Sequence, residues 1–123
     1  MSSETTETPQ TYRRRFPRRQ FHNSIGLLAL GRFNVVVGQE IGEGGLLFKS
    51  REIFEVGIDV VLNFFIPGRD FVSVRGQIVY SRPNKSDSTD GVSYGLKFHE
   101  LPFEGKRMIR DYIAEKTAQE AAS

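Results

Sequence analysis

The sequence predicts a mainly β domain: an N-terminal arm, about six short strands, then one amphipathic helix. Three observations predict it. Ten Phe and 12 Gly with no Trp suit strand faces and turns. Short apolar and β-branched runs recur through the middle of the chain, punctuated by Gly, Pro and polar residues. The apolar period becomes helical only after Pro102.

The chain opens with Met1 to Thr11, polar and with little to bury, so residues 1–12 are expected to be a disordered tail. Next comes Tyr12-Arg13-Arg14-Arg15-Phe16-Pro17-Arg18-Arg19, which holds five of the 17 Lys and Arg residues. The other 12 basic residues face 15 acidic ones, so positive charge is concentrated here. Such a segment is a footprint for an anion. The guanidinium fork suits phosphate and stacks on aromatic faces. Pro17 turns Phe16 away from helical geometry, which makes this stretch an extended arm.

Strand signals then follow in series. Ile25 to Leu30 is a short apolar run, and Arg32 to Gln39 carries Val35-Val36-Val37. Glu40-Ile41-Gly42-Glu43-Gly44-Gly45 reads as a Gly-rich turn leading into Leu46-Leu47-Phe48. Ile58 to Ile66 is apolar-rich and closed by Pro67-Gly68. In Phe71 to Tyr80, Val72, Val74, Gly76, Ile78 and Tyr80 share one face at the period of a half-buried strand. Pro83 to Gly91 is a polar loop, and Val92 to Phe98 a last short strand. Met108, Ile109, Tyr112 and Ile113 then recur at helical spacing, predicting a helix from about Glu104 to about Glu115 or a little beyond. Residues 118–123 are expected to fray, which leaves one domain over 13–117. Short strands at regular spacing suggest a small barrel or a sandwich, with the helix covering an open end.

Composition excludes several classes. There is no Cys, so no disulfide, thiolate metal site or Cys nucleophile. No apolar run approaches the roughly 20 residues of a membrane helix. The polar N-terminus is no secretory signal, and a cytoplasmic protein is expected. His22 and His99 have no partners at a metal-ligand spacing, so no metal is expected. No nucleophile elbow or phosphate-loop motif is present, and no enzyme activity is expected. Gly42 to Gly45 leads into a strand rather than a helix, so a hairpin turn with positive φ is its plainer account. Nucleic acid is disfavoured because the chain outside the arm is net acidic, while a nucleic-acid groove continues its basic footprint across a face. A compact ligand with few phosphates fits the arm better.

Taken together, Arg14-Arg15-Phe16-Pro17-Arg18 and Glu40-Ile41-Gly42-Glu43-Gly44-Gly45 resemble the two signature motifs of the PilZ domain family. Those are Arg-x-x-x-Arg in an N-terminal arm and [Asp/Asn]-x-Ser-x-x-Gly on a strand-turn. Gly76-Gln77-Ile78-Val79-Tyr80 and Gly95-Leu96-Lys97-Phe98 extend the resemblance over about 13–115. It implies a six-stranded antiparallel β-barrel with a C-terminal helix and a flexible N-terminal arm. It also implies binding of cyclic di-GMP, no resident cofactor, and signalling to a downstream protein through an arm that orders on the ligand.

By the match, Arg14 and Arg18 take the motif Arg positions, with Arg15 adjacent and Arg15 with Arg19 as an alternative register. Glu40 falls at the Asp/Asn position, Gly42 at the Ser position and Gly45 at the final Gly. Two positions depart from the pattern. Glu40 lengthens the acceptor by one methylene. Gly42 removes a hydroxyl, a loss of about 0.5–1.5 kcal/mol, or up to about tenfold in affinity. The alternative is a domain of this family that has lost nucleotide binding and acts through protein contacts.

Overall fold

The computed structural model describes residues 17–83 and 91–122, with side chains to Lys116. The tail over 1–12, the arm residues Arg14 and Arg15, and most of the Pro83 to Gly91 loop lie outside the described residues.

Among the described residues, seven strands and one helix follow in chain order. They are β1 (Arg18–Gln20), β2 (Ser24–Ala29), β3 (Arg32–Gly42), β4 (Gly45–Ser50), β5 (Asp59–Phe65), β6 (Phe71–Pro83), β7 (Val92–His99) and α1 (Phe103–Ala122). All pairings are antiparallel. Six strands run β3-β2-β5-β6-β7-β4, and β4 closes back on β3. The result is the expected six-stranded barrel, and closure removes most sheet edges. Register shifts at Gly38/Glu40 in β3 and Ile78/Tyr80 in β6 supply local bends of the kind that let a sheet close.

The alternating pattern explains the barrel's interior. Ile25, Leu27 and Ala29 of β2 point inward, as do Val60, Leu62 and Phe64 of β5 and Val72, Val74 and Ile78 of β6. Ile109, Tyr112 and Ile113 of α1 join the same core. Phe21 links them, with ring centroids 5.5 Å from Phe64 and 6.2 Å from Tyr112, both edge-on. The helix runs through Ala122, into the 118–123 stretch expected to fray.

Two features differ from the sequence reading. The arm is not wholly an arm: Arg18–Gln20 form a seventh strand, β1, on β3. Where β2 leaves the edge of β3 at Val37, β1 takes it up again at Glu40. Phe21 N–H donates to Gln39 O and Gly38 N–H to Asn23 O across the gap. Glu40 to Gly42 are also not turn residues but the end of an 11-residue β3. Pairing on both sides extends the strand, since Ile41 faces Arg19 on one edge and Leu46 on the other. The turn is only Glu43-Gly44, and none of the glycines from Gly42 to Gly45 has positive φ. Positive φ occurs instead at Leu30 (51°) and Gly31 (77°), between β2 and β3. Two such residues in a two-residue loop are the signature of a type I′ hairpin.

Candidate functional site

Strand alternation decides which arginine meets which partner. In β1, Arg18 lies opposite Gly42 and Gln20 opposite Glu40, while Arg19 points the other way. Arg18 Nη1 donates to Glu40 Oε1 at 3.5 Å. Both side chains are about one-third exposed. The stem of Arg18 passes across Gly42: a Cβ there would sit 3.2 Å from Arg18 Cγ and 3.1 Å from Pro17 O. A bare backbone at position 42 thus gives the Arg18 stem its path. One of the five guanidinium donors is directed at Glu40, so the fork retains capacity for an anion. Beside it, the carboxylate can accept from a ligand N–H. A partly exposed donor fork and acceptor together suit a ligand bearing both anionic oxygens and N–H donors.

Arg19 serves the helix. Its Nη1 donates to Tyr112 O at 2.7 Å and to Glu115 Oε1 at 3.3 Å, and its guanidinium lies 3.9 Å over the Tyr112 ring. Tyr112 Oη returns a bond to Gln20 O at 2.9 Å. Arg69 Nη2 approaches Glu115 Oε2 at 3.5 Å. Hydrogen bonds from Arg19 and then Arg69 hold the Glu115 carboxyl below its usual value.

A second latch lies at the hairpin tip. Arg110 Nε and Nη2 each donate to Glu43 at 3.0 Å, a bidentate pair. The hydrogen bond from Arg110 lowers Glu43 and raises Arg110 in turn. Sequence reasoning missed this pair, since 67 residues separate the partners and each alone reads as a solvated charge.

Of the sequence-predicted residues, the structure brings together Arg18, Glu40 and Gly42. Arg19 stands on the helix side. Gly45 is buried against β7, where a Cβ would run into the Leu96 carbonyl oxygen. Arg14 and Arg15 lie outside the described residues. His22 is exposed, and His99 Nε2 lies 3.6 Å from Asp59 Oδ1. Among the described residues no group of three His, Asp or Glu side chains could hold a metal ion. No described helix is long and apolar enough to cross a membrane. A shallow trough of about 500 Å³ on the outer barrel face, between Phe33 and Phe65, has no charged side chain in its lining, so it does not suit a phosphate ligand.

The PilZ domain family matches residues 12–115, nearly the whole described fold. The chain belongs to the PilZ domain family. Solved structures share the PilZ fold at low identity. The inhibitor of motility MotI/DgrA of Bacillus subtilis superposes with a TM-score of 0.77 at 11% identity, over 86% of this chain and 52% of that one. This PilZ chain therefore spans about half the length of the Bacillus protein. The PilZ domain of YcgR from Escherichia coli, solved with c-di-GMP, gives 0.67 at 13% identity, over 89% of this chain and 97% of that one. PlzA of Borreliella burgdorferi, in complex with c-di-GMP, gives 0.53 at 22% identity, over 73% and 32%. No curated protein matches the chain in sequence.

Proposed function

We propose that this PilZ domain binds cyclic di-GMP through Arg14, Arg15 and Arg18 of the arm and Glu40 of β3, and signals to a downstream protein in the cytoplasm without chemistry of its own. The observation that carries the reading is the juxtaposition of Arg18 and Glu40 across the β1–β3 ladder, with the Arg18 stem over Gly42. It puts one motif arginine beside the motif acceptor, although 22 residues separate them. The ligand's two phosphates would take the arginine forks, and its guanine N–H groups the Glu40 carboxylate. Backbone pairing holds Arg18–Gln20 in the sheet. The segment that orders around the ligand in this reading therefore lies before Arg18. Its ordered form supplies the partner's surface, while barrel and helix stay as they are. The functional unit is the single domain over 13–117.

Calorimetry of the full chain with cyclic di-GMP tests this. Saturable heat, with an affinity that Arg18→Ala lowers about 10–100-fold, is the expected result, and no heat at high ligand concentration overturns it. A second reading, a PilZ domain that acts through protein contacts alone, is favoured by one observation. Arg18 and Glu40 already pair with each other at 3.5 Å without a ligand, and Gly42 offers no hydroxyl. It predicts partner capture indifferent to the ligand and to Arg18→Ala.

A further inference from the structure

We infer that the open edge of β3 pairs with the same edge of a second copy of this chain, forming a two-fold dimer. On one edge of β3, Arg32 to Val37 pair with β2. On the other, pairing with β4 begins only at Val37. Among the described residues, no backbone group bonds to that second edge over Arg32 to Val36.

Strand parity identifies the free groups. In a two-residue hairpin the flanking residues, here Ala29 and Arg32, exchange both backbone bonds. Arg32, Asn34 and Val36 therefore aim their N–H and C=O groups at β2. Gly38, which shares their parity, donates to Asn23 O on that same side. Phe33 and Val35 then aim theirs at the open edge. Natural sheets guard such an edge with Lys, Pro or a bulge. From Phe33 to Val37 this strand has none of them, and the β3 bulge lies farther on, at Gly38/Glu40.

The edge matches itself. Antiparallel pairing centred on Asn34 sets Phe33 against Val35 of the second copy, and Val35 against Phe33. Both pairs are of the hydrogen-bonded kind, so each free N–H and C=O of Phe33 and Val35 finds a partner. The side chains of Phe33 and Val35 point outward, 65% and 66% exposed. An aromatic opposite a β-branched residue is a favourable cross-strand pair. The symmetry favours a second copy over an unrelated strand: Phe meets Val at both positions, and no charge enters the centre of the seam. So short a seam falls below the roughly 1,200 Å² of a stable interface, which makes the dimer weak and concentration-dependent.

Analytical ultracentrifugation of the full chain across micromolar to millimolar concentrations tests this. The mass should climb from 14.0 kDa toward twice that value. Phe33→Lys and Val35→Glu should each hold the chain monomeric, with circular dichroism confirming the fold. The double variant should dimerise again, because each new lysine then faces a new glutamate across the two-fold. A single-chain mass at every concentration overturns the pairing and leaves the edge to an extended segment of another protein. A dimer that ignores Phe33→Lys, or a folded double variant that stays monomeric, overturns it equally.

Discussion

Arg18 and Arg19 are consecutive in β1, yet Arg18 reaches Glu40 at 3.5 Å while Arg19 lies 3.9 Å over the ring of Tyr112. Alternation along three residues of strand sends one guanidinium toward the proposed ligand and the other to the helix. The two substitutions should separate accordingly. Arg18→Ala is expected to weaken cyclic di-GMP binding about 10–100-fold, the worth of a charge-assisted hydrogen bond, with little change in stability. Arg19→Ala is expected to destabilise the fold by about 1–3 kcal/mol through its cation–π contact and its bond to the Tyr112 carbonyl. Paired calorimetry and urea unfolding of both variants check the split. Equal effects on both readouts would contradict it.

Gly42 and Gly45 should also respond differently. A Ser at position 42 must push the Arg18 stem and Pro17 aside by a few tenths of an ångström, and it returns a hydroxyl to the site. Gly42→Ser is expected to tighten cyclic di-GMP binding by up to about tenfold. In contrast, Gly45→Ala drives a methyl into the Leu96 carbonyl of β7, a rigid neighbour. Its effect should be a loss of stability of about 1–3 kcal/mol or more. Titration calorimetry on the first variant and thermal unfolding of the second decide both.

Acid should loosen the helix. Glu115 and Glu43 are held below the usual carboxyl value of 4.5 by their arginine partners. A carboxyl with a depressed folded pKa stabilises the fold above its unfolded pKa, and that contribution fades as pH falls through the folded value. The contacts of Arg19, Arg69 and Arg110 should therefore weaken as pH drops below 4.5. Chemical shifts of α1 followed through an acid titration should move in that window, and Glu115→Gln should flatten the response.

Leu30 occupies a left-handed position that favours Asn or Gly, and its side chain is 81% exposed. Leu30→Asn would create the preferred Asn-Gly pair of a type I′ turn. We expect it to stabilise the β2–β3 hairpin by about 0.5–1 kcal/mol, read as a rise in the urea midpoint.

The barrel was legible because each strand carries its own signature. Val72, Val74, Gly76 and Ile78 alternate in sequence as they do in burial, and the spacing of Ile109, Tyr112 and Ile113 locates the buried face of α1. The end of β3 was not legible. Two glycines beside Glu43 mark a turn locally, while the force that keeps Glu40 to Gly42 extended comes from β1 and β4. Within the site, motif spacing pointed to Arg18, Glu40 and Gly42. The diversion of Arg19 to Tyr112 was hidden, because the partners lie 93 positions apart and the five arginines of the segment look alike in sequence.

The clasp of β1 by α1 also decides how the molecule would carry mechanical load. Arg19 and Gln20, near the start of the described chain, are fastened to Tyr112 and Glu115, near its end. Tension applied between the two ends enters at this one place. It would peel the three-residue β1 and the helix away first. The closed ring of six strands, with no end of its own in the line of pull, would be spared until both had gone.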